Sequence, residues 1–176
     1  PLNASRRQDH ASVRGQREGR HTMPSDPEPA GQSRKRGLPK HSTDIRDHEV
    51  AHRDFLKGAL ADKAIPDLEV DFSKVDFASR ESVLTTAKTF EDLGVAAYNG
   101  AGKLLEKGDY LVAAGRIVSV EARHAATIRD LLQPGSVAFA GPDVVDKNGL
   151  DGALEPAKVL AAAGPFIKTE VTAKSL

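Results

Sequence analysis

Two short segments of this sequence pair a glutamate with a histidine at a spacing that suits metal binding. His52 follows Glu49 by three positions, and His124 follows Glu121 by three positions. Residues three apart in a helix lie on one face, with Cβ atoms about 5–6 Å apart, so a carboxylate and an imidazole can reach one ion. We therefore interpret these four residues as candidate metal ligands.

A third glutamate, Glu91, lies on the apolar face of another predicted helix, in line with Leu84, Ala87 and Tyr98. An ionised carboxylate buried on such a face costs several kcal/mol unless it is compensated, and several carboxylates together also repel one another. Cations relieve both problems, and a mixture of carboxylate oxygen and imidazole nitrogen suits iron, manganese or zinc. Helical bundles hold two metal ions with two Glu-x-x-His helices and further single glutamates. The pattern predicts two metal ions, which could be iron, manganese or zinc, with Glu91 as a bridging ligand.

The helices that must position these ligands are indicated by mainly apolar faces whose residues repeat at intervals of three and four. These predicted faces are Ile45, Glu49, His52, Leu56 and Ala59 in the first helix, Leu84, Ala87, Glu91, Gly94, Tyr98, Ala101 and Leu105 in the second, and Tyr110, Ala113, Ile117, Glu121, His124, Ile128 and Leu131 in the third. Capping residues, glycines and prolines set their predicted ends. The first predicted helix is capped by Asp44 and ends at about Ala61, and the second is capped by Ser79 and runs to about Lys107, where Gly108 terminates it. The third is capped by Asp109 and ends at Leu132, and a short fourth helix runs from Pro156 to Ala163. The sequence thus predicts an all-α bundle with a long connection at 62–79.

The first 43 residues differ in composition from the rest of the chain. They contain no Ile, Phe, Tyr or Trp, and they are rich in proline, glycine and basic residues. Such a segment buries too little apolar surface to offset its ordering entropy. We predict a disordered basic arm at 1–43, a helical domain at 44–168 and a polar tail at 169–176. The scattered charges, without interleaved aromatic residues, do not predict nucleic-acid binding.

Composition excludes several classes of protein. The 176-residue chain has a formal net charge of zero and no cysteine, which excludes disulfide frameworks, thiolate metal sites and cysteine nucleophiles. No apolar run approaches the roughly 20 residues needed to span a bilayer. We expect a soluble protein with no membrane partner and no recognisable signal peptide in this chain, and the compartment stays open.

A competing motif overlaps the first pair. The segment His48-Glu49-Val50-Ala51-His52 is an H-E-x-x-H sequence, in which the two histidines would bind zinc and Glu49 would activate water in a metalloprotease. This alternative leaves Glu121 and His124 without a role, and it needs a β-rich substrate-binding half that the sequence does not show. The number of bound ions separates the two hypotheses.

Several segments resemble the ferritin-like proteins of bacteria and plants that are related to desiccation-associated proteins. The segments that resemble the second, third and fourth bundle helices and the C-terminal part of that family are 45–56, 89–101, 119–126, 154–160 and 165–167. The resemblance implies a ferritin-like four-helix bundle. It also implies either a di-metal carboxylate protein, with iron as the first choice of metal and possible O₂ or peroxide chemistry, or a stress-associated structural protein with an idle site. Whether the protein is an enzyme stays open.

One feature of that family is not found. Its first helix is a long apolar segment with another glutamate ligand, whereas residues 1–43 contain no such segment. Their composition is what a GC-rich gene read in the wrong frame tends to give, which is a hypothesis. The bundle is therefore predicted to be incomplete. Its open face would be covered by a second copy in a homo-oligomer, by the C-terminal helix, or by nothing.

Overall fold

The computed structural model describes residues 41–172, and it contains four α-helices joined by turns and short 3₁₀ segments. The helices are α1 (His41–Leu60), α2 (Arg80–Ala101), α3 (Gly108–Leu132) and α4 (Pro156–Ala163). The described residues form no β-strand, only two isolated bridges, Val70 with Ile167 and Val145 with Asp151. The predicted all-α fold is confirmed. None of the described helices is long and apolar enough to cross a bilayer. Most of the predicted arm, and the last four residues of the predicted tail, lie outside the described residues.

The boundary between α2 and α3 differs from the prediction. Ser79 does cap α2, since its Oγ accepts a hydrogen bond from the backbone N–H of Ser82 at 3.2 Å. However, α2 ends at Ala101, and Gly108 begins α3 instead of terminating α2. A 3₁₀ segment at Gly102–Leu104 intervenes, and Leu105 beyond it stays partly buried. The apolar repeat therefore continues past the true end of the helix, which explains the error.

Two of the predicted capping residues lie inside their helices. Because α1 begins at His41, Asp44 belongs to its first turn, and Asp109 likewise lies in the first turn of α3. Their prediction as N-caps was wrong. A carboxylate in the first turn still interacts favourably with the positive end of the helix dipole, so both residues keep a favourable position.

The core lies mainly between α2 and α3, which pack along their lengths. Its buried apolar side chains are Leu84, Val95, Ile117, Ala125 and Ile128. In α1 the partly buried residues recur every three or four positions, at Ser42, Ile45, Glu49, His52 and Leu56, and the other described α1 residues are exposed. This is the predicted face of α1, except that Ala59 at its end is exposed. One face of α1 is thus directed towards α2 and α3, as a helix with a single buried stripe requires.

The C-terminal segment packs on the side of α2 that faces away from Glu91. The backbone N–H of Leu154 donates to the carbonyl of Ala96 at 2.9 Å, and Asn99 Nδ2 donates to the carbonyl of Gly152 at 3.0 Å. With 3.6 residues per turn, Ala96 and Gly100 lie on the opposite face of α2 from Glu91. The C-terminal helix therefore does not cover the face of α2 that carries Glu91.

Three aromatic rings attach the long connection between α1 and α2 to the rest of the domain. Phe72 from the connection packs on Phe90 of α2 and on Phe166, with ring centroids 5.9 and 6.0 Å apart, and Phe90 and Phe166 are 4.9 Å apart. The backbone N–H of Asp71 also donates to the carbonyl of Phe166 at 2.9 Å. These contacts hold the middle of the connection against α2 and the C-terminal segment.

Gly100 is the position where α2 and the C-terminal segment approach most closely. A Cβ atom added there would lie 1.9 Å from the carbonyl oxygen of Leu154, which is backbone and cannot rotate away. We expect Gly100→Ala to lower the free energy of unfolding by about 1–3 kcal/mol, the usual cost of overpacking. Urea unfolding followed by circular dichroism measures it.

Gly94 on the same helix is the matched control, because a Cβ added there meets no atom within 4 Å. Gly94→Ala should leave stability unchanged or raise it by up to about 1 kcal/mol, since alanine is the better helix former. Equal unfolding midpoints for the two variants would contradict the close approach at Gly100.

Candidate metal centre

Four of the five predicted ligands meet at one point between three helices. Glu49 of α1, Glu91 of α2 and Glu121 and His124 of α3 each offer one ligand atom, and these atoms all lie within 4.8 Å of one another. Residues separated by more than 70 positions are therefore brought together by the packing of the helices. A group of three carboxylates and one imidazole could hold a metal ion.

The distances from His124 to the three carboxylates are those expected between ligands of one ion. His124 Nδ1 lies 3.0 Å from Glu49 Oε1, 3.5 Å from Glu91 Oε2 and 3.5 Å from Glu121 Oε2. Metal–ligand bonds of about 2.0–2.2 Å separate neighbouring ligand atoms by roughly 3.0–3.5 Å. The side chains therefore need little movement to coordinate a common ion.

His52, the fifth predicted ligand, lies beside this group and not within it. Its Nδ1 is 3.2 Å from Glu121 Oε1 and 3.7 Å from Glu49 Oε1. Oε2 of Glu121 faces His124 while its Oε1 faces His52. The carboxylate of Glu121 thus lies between the two histidines.

Three buried atoms at this point have no hydrogen-bond partner. They are Glu49 Oε1, His52 Nδ1 and His124 Nδ1. Each is within 4 Å of other polar atoms, but the geometry is not that of a hydrogen bond. Leaving a buried polar atom unpaired costs about 1–3 kcal/mol, and more for a charged group. Lone pairs that converge without donors are what a cation requires, so the donor set fits a metal.

Burial is uneven across the site. Glu121 and His124 are 5% exposed, and the side chain of Glu91 is 11% exposed. In contrast, the side chain of Glu49 is 43% exposed, although its Oε1 is buried. The expectation of inward-pointing acids therefore holds fully on α2 and α3, and only for one carboxylate oxygen on α1.

The electrostatics of the site indicate an excess of negative charge. Burial raises the pKa of Glu91, and repulsion from Glu49 and Glu121 adds to the effect. Burial disfavours a charged imidazole, but the surrounding carboxylates raise the pKa of His124 to about 11. Burial would also raise the pKa of Glu49, but its attraction to the two imidazoles outweighs this and lowers the pKa. The group is thus stabilised by positive charge at its centre.

Tyr98 feels the same negative charge. Burial raises the pKa of its phenol to about 12, with further contributions from Glu121 and Glu49. The side chain therefore remains a neutral phenol at physiological pH.

The H-E-x-x-H alternative is not favoured by this arrangement. Glu49 approaches His124 and His52, as a ligand would, whereas His48 Nδ1 lies 2.9 Å from Nε2 of His124, the nitrogen that does not face the carboxylates. A zinc protease would instead need His48 and His52 on one ion, with Glu49 free to activate water.

A buried arginine behind the site was not predicted. Arg129 is 4% exposed and donates to both oxygens of Asp92, at 2.8 and 2.7 Å. The side chain of Asp92 is itself only 19% exposed. Because Asp92 is next to Glu91 in sequence, this pair helps fix the part of α2 that carries a candidate ligand.

Comparison with protein-family models places the first three helices in a known family. The model described as a ferritin-like domain matches residues 33–134, more than half of the chain. The match spans α1, α2 and α3, which together supply every candidate ligand, and it begins inside the segment predicted to be a disordered arm. No curated protein matches the chain.

Proposed function

The chain belongs to the ferritin-like domain family. We propose that it is a carboxylate metal protein whose site binds two ions, and that iron is preferred to manganese or zinc. The proposal rests chiefly on the three buried, unpaired atoms of Glu49, His52 and His124. Buried polar atoms without a partner are rare in proteins, and a bound ion or ordered water is a common explanation for them. The mixture of carboxylate and imidazole suits iron.

We assign the first ion to the group of four residues, Glu49, Glu91, Glu121 and His124. Their ligand atoms lie within 4.8 Å of one another. Three carboxylates and one imidazole fill a four-coordinate position without any other ligand, and water can complete a higher coordination number.

We assign the second ion to a position beside His52, where Glu49 and Glu121 would be shared with the first ion. His52 Nδ1 lies within 4 Å of one oxygen from each of these glutamates. Residues 41–172 provide no further ligand there, so the second position has three protein ligands, whereas the first has four. Sharing by Glu121 and Glu49 replaces the bridging role first assigned to Glu91.

The two positions should therefore differ in affinity. Protein purified without chelators and then stripped of metal should bind one ion tightly and a second at least about 10-fold more weakly. Loss of a residue that only hydrogen-bonds to a ligand already weakens metal affinity by about 10- to 100-fold, and absence of a ligand should cost at least as much. Anaerobic titration with Fe(II), together with elemental analysis of the untreated protein, measures both the stoichiometry and the two affinities.

Other results of this titration would favour other functions. A single zinc ion whose binding depends on His48 and His52 would favour the zinc metalloprotease alternative. A protein that binds no metal at micromolar concentration would favour the alternative of a stress-associated structural protein with an idle site. Two ions of equal affinity would contradict the assignment of three and four ligands.

Iron bound by such ligands supplies one-electron chemistry with O₂ or peroxide. The residues of this chain would hold the ions between α1, α2 and α3, and the neutral phenol of Tyr98 would lie within the field of Glu121 and Glu49. The resemblance to desiccation-associated proteins supports a role in stress.

We also infer a homo-oligomer. Large apolar side chains of α1 are exposed, including Val50, Phe55 and Leu60 at 41%, 53% and 43%. The C-terminal helix packs elsewhere and leaves them uncovered. The mass in solution, measured by sedimentation, tests this inference.

A further inference from the structure

His48 is the one histidine of the H-E-x-x-H segment to which the proposed metal positions assign no role. It is exposed on α1, immediately before Glu49. Its Nδ1 lies 2.9 Å from Nε2 of His124, and the two rings are nearly parallel, at 5°, with centroids 5.2 Å apart. This is the geometry of a hydrogen bond between imidazole edges, and it links α1 to α3 beside the ligands.

The direction of this hydrogen bond follows from the chemistry of imidazole. A neutral imidazole has one N–H and one bare nitrogen. Nδ1 of His124 faces the carboxylates of Glu49, Glu91 and Glu121, so a metal ligand there must be bare at Nδ1 and protonated at Nε2. His124 then donates from Nε2, and His48 must accept at Nδ1 and have its own proton on Nε2.

We propose that His48 is a positioning residue that fixes the tautomer and the ring orientation of His124 for metal binding, an inference that rests on the proposed function. Metal-binding histidines usually donate their other N–H to a carboxylate, a carbonyl or water, and this partner fixes the ring and raises its basicity. Here a second imidazole takes that place. No carboxylate or carbonyl hydrogen-bonds to His124 Nε2 among the described residues.

The location of His48 explains how an exposed residue can act on a buried one. A cleft of about 330 Å³ between α1 and α3 is lined by His48, His52 and His124. Because His48 is exposed, its outer nitrogen can donate to water. Since Glu49 follows His48, the same turn of α1 brings both a carboxylate ligand and the acceptor that orients an imidazole ligand.

The test compares three replacements at position 48 in the full chain. His48→Phe keeps a ring but removes the acceptor, and His48→Leu removes both. His48→Asn restores an acceptor, because its amide oxygen can occupy nearly the position of Nδ1. Co(II) serves as the probe, with affinity measured by competition with a chromophoric chelator. We expect His48→Phe and His48→Leu to weaken the tighter position by about 10- to 100-fold, and His48→Asn to remain within about threefold of the unchanged protein.

A second measurement detects the hydrogen bond itself. In the Co(II)-loaded protein, the Nε2 proton of His124 should give a shifted, exchangeable NMR signal that is absent from His124→Ala. We expect its exchange with water to accelerate in His48→Phe and to stay slow in His48→Asn. A merely structural role of His48 would not change this exchange rate selectively.

The outcomes separate the two proposals. If the unchanged protein binds no Co(II), the proposed function fails. If it binds Co(II) and His48→Phe binds equally tightly with an unaltered exchange rate, the positioning role alone is overturned. Equal losses in His48→Phe and His48→Asn would also overturn it, because the acceptor would then be irrelevant.

Discussion

Replacing Glu121 by alanine is expected to abolish metal binding at both positions, because its carboxylate lies between the two histidines. One oxygen is 3.2 Å from His52 Nδ1 and the other is 3.5 Å from His124 Nδ1. At 5% exposure the residue is among the most buried polar groups of the described chain. We expect the affinity of each position to fall by at least about 100-fold, which is the largest loss usually seen when only the hydrogen-bond partner of a ligand is removed.

Two single substitutions should divide this effect. His52→Ala should weaken only the second position, and Glu91→Ala only the first, because Glu91 lies 3.5 Å from His124 and has no such contact with His52 among the described residues. Calorimetric titration with Co(II) resolves the two phases. Glu106→Ala is the control, since Glu106 is exposed and lies in the connection between α2 and α3, 15 residues along the chain from both Glu91 and Glu121. Tight binding retained by Glu121→Ala, with a cooperative unfolding transition, would refute the shared carboxylate.

Sequence periodicity predicted which face of each helix is buried, and this face carries the candidate ligands. On α1, the predicted positions Ile45, Glu49, His52 and Leu56 are those that the structure partly buries. On α3, Ile117, Glu121, His124 and Ile128 are buried as the repeat required. An acid within such a stripe is conspicuous, since its desolvation has to be compensated. The convergence of the helices then follows from burying the stripes against one another.

Features that depend on distant partners could not be predicted. Arg129 is adjacent to Ile128 and looks like the flank of the apolar stripe, but its burial depends on Asp92 and Asp143, which lie far away in the chain. The contact of His48 with His124 is equally long-range, and nothing in the local pattern of α1 indicates it. The early end of α2 also escaped prediction, because Leu105 continues the repeat outside the helix.

The second large effect is expected at Arg129, whose guanidinium uses all five of its N–H groups. It donates to both oxygens of Asp92, to both oxygens of Asp143 at 3.2 and 2.9 Å, and to the carbonyl of Ala138 at 3.1 Å. It therefore ties α3 to α2 and to the segment that follows α3. Its hydrogen bond lowers the pKa of Asp143, so this part of the stabilisation is present at neutral pH and is lost as acid protonates that carboxyl group.

Arg129→Met should lower the free energy of unfolding by about 3–5 kcal/mol, because it leaves the carboxylate of Asp92 unpaired in a poorly solvated place. Urea unfolding of the metal-free protein measures this loss. The matched control is Arg116→Met on the exposed face of α3, where we expect a change within about 0.5 kcal/mol.

A double variant tests whether the loss of stability in Arg129→Met arises from the unpaired carboxylate of Asp92. Removing both partners of a buried ion pair costs much less than removing one, so Asp92→Leu combined with Arg129→Met should recover most of the lost stability. Since Asp92 adjoins Glu91, the single Arg129→Met variant should also bind metal more weakly at the first position, and the double variant should partly recover. If Arg129→Met and Arg116→Met unfold at the same urea concentration, the arginine does not hold α2 and α3 together, and the placement of Glu91 must rest on the apolar contacts of α2 alone.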